Sequence, residues 1–200
     1  MKKFLKVSGI VVSALCLIVI AYVIYVFAAY ERIEDNTKLE AVSSHTAEKA
    51  VPQGEKLSIT SWNIGFGAYT DEYSFFMDGG KYSRGFSEEI VYDTVQTMTD
   101  DLKEMNSDFY LIQEVDVDAT RSYHINEYDL ITAPFTDMSK VYAQNYDSPY
   151  LFYPILKPHG KSVAGIVTMS DYYISSALRR SLPIQDGFAK FVDLDRCYSI

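Results

Sequence analysis

The sequence predicts an α/β domain built around one parallel βαβ unit, on three observations. Thr60, Ser61 and Trp62 continue a strand-like run from Leu57-Ser58-Ile59, and the run breaks at Asn63 and Gly65. A second run, Phe109 to Ile112, is continuously apolar until Gln113 and Glu114, which the middle of a fully buried strand would not carry. Between them Val91, Val95, Met98, Leu102 and Met105 recur at intervals of four, three, four and three, one face of a helix. Strand, helix and strand make a βαβ unit with a right-handed crossover. Its strands are parallel, so Asn63 and Glu114 leave the sheet at the same carboxyl edge, where α/β sheets hold their ligands.

The flanking chain supports each element. Ser87 is a good helix N-cap, and Glu88 and Glu89 suit the positive end of the helix dipole. Asn106, Ser107 and Asp108 end the helix. Between the first strand and the helix lies a loop, 64–86, rich in glycine and aromatic residues. A loop of that length is either functional, touching substrate, or a surface loop whose aromatics pack on the domain. After Glu114, Asp116 and Asp118 either extend a metal site or, as expected here, cap a helix that places Arg121 and His124 on one face. Further strands are predicted at Val141-Tyr142-Ala143, Tyr150-Leu151-Phe152, 165–170, Tyr172-Tyr173-Ile174, 188–194 and 196–200.

The N-terminus reads as a membrane anchor. Residues 7–30 are 24 without a charge, about 36 Å of helix against a hydrocarbon core of about 30 Å. Lys2, Lys3 and Lys6 precede this segment and Glu31, Glu34 and Asp35 follow it, so the N-terminus stays cytoplasmic and the domain lies outside. A cleaved signal peptide is the alternative, since Val26-Phe27-Ala28 resembles a cleavage site. The expected organisation is a basic tail at 1–6, a transmembrane signal-anchor at 7–30, a stalk at 31–55, helical near Glu31 to Val42, and one folded domain from 56 to 200.

Charge and cysteines exclude several functions. Without Lys2, Lys3 and Lys6 the rest of the chain has 15 Lys+Arg against 27 Asp+Glu, a balance of −12. Such a domain has no general electrostatic grip on nucleic acid, so phosphate chemistry here needs a local cationic or metal site. Cys16 lies in the apolar segment and Cys197 near the end, which leaves no disulfide framework. His45, His124 and His159 show no zinc-ligand spacing with them, so hard, oxygen-ligated metals are the plausible kind.

In order along the chain, Ile59-Thr60-Ser61-Trp62-Asn63-Ile64, the helix, Tyr110-Leu111-Ile112-Gln113-Glu114-Val115, the strand from Gly165 to Ser170 and a strand opened by Arg196 resemble the endonuclease/exonuclease/phosphatase family, the deoxyribonuclease I-like superfamily. The resemblance covers about residues 56–200 and is firmest at the two motifs. It implies a four-layered α/β sandwich of two packed mixed sheets flanked by helices. It also implies that Glu114 binds a catalytic Mg²⁺ or Mn²⁺, that Asn63 supports the active-site network or the phosphate, and that Arg196 lies near the scissile phosphate. Read from the residues alone, Arg196 could equally be a surface arginine paired with Asp193 or Asp195.

The family's later groups, a His or Tyr after the next strand, an Asp-x-Asn motif and a closing Asp-His pair, are not found before Ile200. The 200 residues therefore read as the N-terminal part of such a domain, expected to be inactive by themselves. The implied function is a membrane-anchored, divalent-metal-dependent phosphoester hydrolase, a phosphodiesterase, phosphatase or nuclease. Its substrate would be a lipid head group, a nucleotide or a nucleic acid. The alternatives are a non-catalytic cell-surface binding module on the same scaffold, and an unrelated α/β domain in which Asn63 and Glu114 are structural.

Overall fold

The computed structural model describes residues 2–30, 32–42, 49–184, 187–191 and 193–200. Glu31, residues 43–48 of the expected stalk, and His45 with them lie outside the described residues. The protein is mixed α/β, with two sheets and an N-terminal apolar helix. That helix, α1 (Lys2–Ala29), takes in the basic tail and is long and apolar enough to cross a membrane or to serve as a signal sequence.

The predicted βαβ unit is present. β3 (Ile59–Asn63) and β4 (Phe109–Ala119) pair in parallel, with Trp62 opposite Ile112 and Asn63 opposite Gln113. The crossover helix α2 (Glu88–Met105) begins at Ser87, whose side chain accepts the Ile90 N–H, and ends at Asn106 in the left-handed conformation. Val91, Val95 and Leu102 are its buried apolar residues, meeting Tyr110, Ile112 and Val115 of β4, Val167 and Met169 of β6 (Ser162–Ser170), and Ile131 of the short helix α3 (Glu127–Thr132). This is the main core.

The larger sheet has the order β2-β5-β6-β4-β3, where β2 is Ala41–Val42 and β5 is Ser139–Asp147. The smaller sheet has the order β1-β7-β8, made by Thr37–Leu39, Ala177–Ser181 and Cys197–Ser199. Leu111, Val141 and Thr168 of the large sheet share a cavity of about 290 Å³ with Ala177 and Ser199 of the small one. Leu111 alternates with Tyr110 and Ile112, so the small sheet lies on the face away from α2.

Several expectations need correction. Residues 32–42, expected to be helical, are not: Thr37–Leu39 pairs with β7 and Ala41–Val42 with β5, so this part of the stalk is folded into both sheets. Arg179 makes that possible. It is buried and donates to the carbonyls of Ile33, Glu34, Gln144 and Asp195, holding the strand entry by hydrogen bonds rather than by apolar periodicity. An inward arginine also masks the alternation of β7, a strand the sequence did not disclose. No helix starts at Asp116 or Asp118, because β4 runs on to Ala119 and only a 3₁₀ turn, Thr120–Ser122, follows. Arg121 there is buried and His124 exposed, so they share no face. Residues 188–191 form a 3₁₀ turn, 172–174 form no strand, and of 150–152 only Leu151 makes a bridge, to Gly160.

Candidate functional site

Asn63 and Glu114 meet at the edge to which the parallel pairing brings them. The Asn63 Nδ2 donates to Glu114 Oε1 at 2.8 Å, and Asn63 Oδ1 accepts the Gly65 N–H at 2.9 Å. Only this orientation of the amide satisfies both contacts, since a carboxylate accepts and an N–H donates. Gly65 can offer its N–H there because it sits at φ +55, with Tyr69 too close to leave room for a Cβ.

Glu114 is not at the end of its strand. Between Ile112, opposite Val167, and Val115, opposite Gly165, two residues of β4 face one of β6, which is a β-bulge. Simple alternation from Tyr110 and Ile112 would send Glu114 into the core. The bulge passes that place to Val115, fully buried, and turns Glu114 out of it. Glu114 takes φ 57 to do so, a conformation that costs a non-glycine residue about 1–2 kcal/mol. Burying valine instead of a carboxylate more than offsets that cost.

The turned-out carboxylate lines a cavity of about 290 Å³ that Arg196, Arg121, His159, Tyr69 and Asp78 also border. Arg196 thus joins Glu114 at one cavity. Among the described residues no ion pair ties Arg196 to Asp193 or Asp195: Asp195 receives the Ile33 N–H and faces Arg32, and Asp193 receives the Leu194 N–H. Asn63 lines an adjoining cavity together with Glu114, Tyr69 and Asp78.

Behind the cavity lies a buried polar network that sequence reasoning missed. Arg121 grips Asp116 in two-point fashion, Nη2 to Oδ1 at 2.7 Å and Nε to Oδ2 at 3.0 Å, while Ser122 Oγ donates to Oδ2 at 2.9 Å. The guanidinium also lies over the Phe66 ring at 4.0 Å. Burial works against its charge, but Asp116 outweighs that and holds the Arg121 pKa above its ordinary value. Glu127 accepts the Asp116 N–H at 2.8 Å and is fully buried. Burial first, and the Asp116 charge second, push its pKa well above the usual carboxylate range. The available signal was Arg121 five residues after Asp116, a spacing that brings them together only if a tight turn, not a helix, follows the strand.

His159 is buried at the cavity wall, and burial followed by the Arg121 charge pushes its pKa down to about 4. Its Nδ1 faces the Ser83 carbonyl at 3.2 Å and must carry the proton, which leaves Nε2 to accept from Ser162 Oγ at 3.3 Å. The glycine-and-aromatic loop packs on the domain and also borders the cavity. Phe66, Tyr73 and Phe75 form a second small core, while Tyr69, Phe75 and Asp78 border the cavity. Tyr69 donates to Asp78 Oδ2 at 3.0 Å, and burial with that bond pushes its pKa up to about 12.

Among the described residues no group of three or more His, Cys, Asp or Glu is arranged to cage a metal ion. The donor set fits a different kind of site. Glu114 is a hard oxygen donor at a cavity edge, one oxygen held by Asn63, which suits an ion that takes one or two carboxylates and completes its shell with water and substrate phosphate. No protein-family model, curated protein or solved structure matches the chain.

Proposed function

We propose that the chain belongs to a membrane-anchored, divalent-metal-dependent phosphoester hydrolase of the endonuclease/exonuclease/phosphatase type, acting outside the membrane, with Glu114 as the ligand of Mg²⁺ or Mn²⁺. The four-layered sandwich and the transmembrane, N-terminus-inside arrangement of α1 are part of this reading. The observation that carries it is the Asn63–Glu114 hydrogen bond at the carboxyl edge of a parallel pair, with the glutamate turned by a bulge into a cavity that Arg196 shares. Three lysines in the first turns of α1, before its apolar run, and none of the acidic residues there favour the orientation.

Each residue has a separate task in this scheme. Asn63 fixes one carboxylate oxygen of Glu114 and leaves the other for the ion. Arg196, exposed at the cavity, supplies a planar donor fork for phosphate oxygens. Arg121 does not compete for that role, because Asp116 occupies its fork. A bound ion would polarise the phosphoryl group and neutralise charge developing on its oxygens.

Calorimetric titration with Mn²⁺, without substrate, tests the reading. Glu114→Gln is expected to weaken binding well beyond the roughly 10-fold expected of Asn63→Ala, which removes only the orienting partner. An unchanged isotherm for Glu114→Gln would remove Glu114 as the ligand.

A further inference from the structure

Outside α1, the most concentrated apolar exposure among the described residues is at 152–156, where Phe152, Tyr153, Ile155 and Leu156 are 55%, 68%, 84% and 96% exposed. Single exposed apolar residues are ordinary, but four large ones within five positions mark a contact surface. The loop adjoins α1. Tyr22 Oη donates to the Tyr150 carbonyl at 3.1 Å, the Tyr150 N–H donates to Tyr25 Oη at 2.9 Å, and the Tyr22 ring meets Phe152 edge-on at 5.1 Å. One turn on, Val26 is buried, and the Phe27 and Tyr30 rings meet Phe191 at 4.3 and 4.9 Å. The end of the apolar helix is therefore docked on the domain.

Those contacts fix the level of the loop. A hydrocarbon core takes about 20 helical residues, and counted from Val7 they end at Val26. Tyr22 and Tyr25 fall at the outer boundary, where tyrosines concentrate. Tyr150, bonded to both, shares that boundary, and the exposed apolar residues follow it directly. Lys157 comes next, exposed, and Lys161, which also faces Asp147 at 3.4 Å, lies nearby. Both have apolar stems and cationic heads suited to the phosphate layer. β1 begins at Thr37, seven residues after Tyr30, and Arg179 clamps the carbonyls of Ile33 and Glu34.

We propose that residues 152–156 are a second membrane contact, seated in the outer leaflet of the bilayer that α1 spans. The proposal rests on the reading of α1 as an uncleaved anchor. It gives the candidate site a fixed height, because the loop is tied to the cavity wall. Arg84 Nε donates to the Pro158 carbonyl at 2.6 Å, and the Phe76 ring lies 5.8 Å from Tyr153 and 5.9 Å from His159. The cavity then opens close to the lipid head groups.

The test uses the full chain in phosphatidylcholine nanodiscs with brominated acyl chains, which quench tryptophan. Single reporters are placed in a Trp62→Phe background: Leu156→Trp in the loop, Leu17→Trp inside α1, and Tyr173→Trp just past the end of β6 at Ser170, which pairs with Phe109 at the opposite end of β4 from Ala119. Leu156 is almost wholly exposed, so its replacement leaves the core intact. If Trp62→Phe destabilises the fold, the reporters go into the parent and its own emission is subtracted. The expected result is about a twofold loss of emission at positions 156 and 17, consistent with an apolar face buried about 5–10 Å, and none at 173. Quenching at 17 without quenching at 156 would overturn the loop contact alone. No quenching at 17 would overturn the anchor and the proposal with it.

Discussion

Replacing Arg121 by methionine removes one side of a buried ion pair and leaves its partner in place. Asp116 is fully buried and receives two bonds from the guanidinium, at 2.7 and 3.0 Å, so Arg121→Met strands a carboxylate with only Ser122 Oγ to solvate it. Breaking such a pair from one side costs about 3–5 kcal/mol, a large part of a total stability of about 5–15 kcal/mol. At about 2–4 °C per kcal/mol for a chain of this size, the melting temperature should fall by roughly 6–20 °C. Removing both charges, as in Asp116→Asn with Arg121→Met, leaves no unpaired ion and should restore most of the loss.

Thermal melts in detergent, followed by near-ultraviolet circular dichroism, give the comparison, and added salt should change it little because the pair is buried. The effect should also reach the site, since Asp116 lies two residues beyond the bulge that turns Glu114. An Arg121→Met protein that melts within about 2 °C of the parent would refute this account. A double variant no more stable than the single one would do the same.

Two pH dependences follow from buried groups. The unfolded chain protonates His159 below about pH 6.5, whereas the folded protein resists until about 4. Stability is therefore fully present above pH 6.5 and is lost as pH falls through that window, by up to about 3 kcal/mol; His159→Gln should flatten this acid limb in melts recorded across it. Glu127 has the opposite sign. Its pKa is raised in the fold, so stability declines as pH rises above the ordinary carboxylate value. Glu127→Gln keeps an acceptor for the Asp116 N–H and should raise the melting temperature at alkaline pH; a lower one would show that the ionised carboxylate is stabilising.

The sequence determined whatever local periodicity and capping control. The 4-3-4-3 spacing of apolar residues and Ser87 placed α2 correctly, because a helix needs only neighbours a few residues away to declare itself. Two strand runs around it made a parallel pair, and with it the meeting of Asn63 and Glu114 across 51 residues. Tertiary structure decided what depends on distant partners. The bulge at Glu114 exists because Val115 must fill the core opposite β6, and nothing in Gln113-Glu114-Val115 states that. The strands at 37–42 form because β5 and β7 offer free edges and Arg179 supplies donors, not because their own sequence favours extension. Asp116, Arg121 and Glu127 look like surface charges in the chain. Only the tight turn after β4 and the packing of α3 bury them together, since burial is a property of the surroundings and not of the residues themselves.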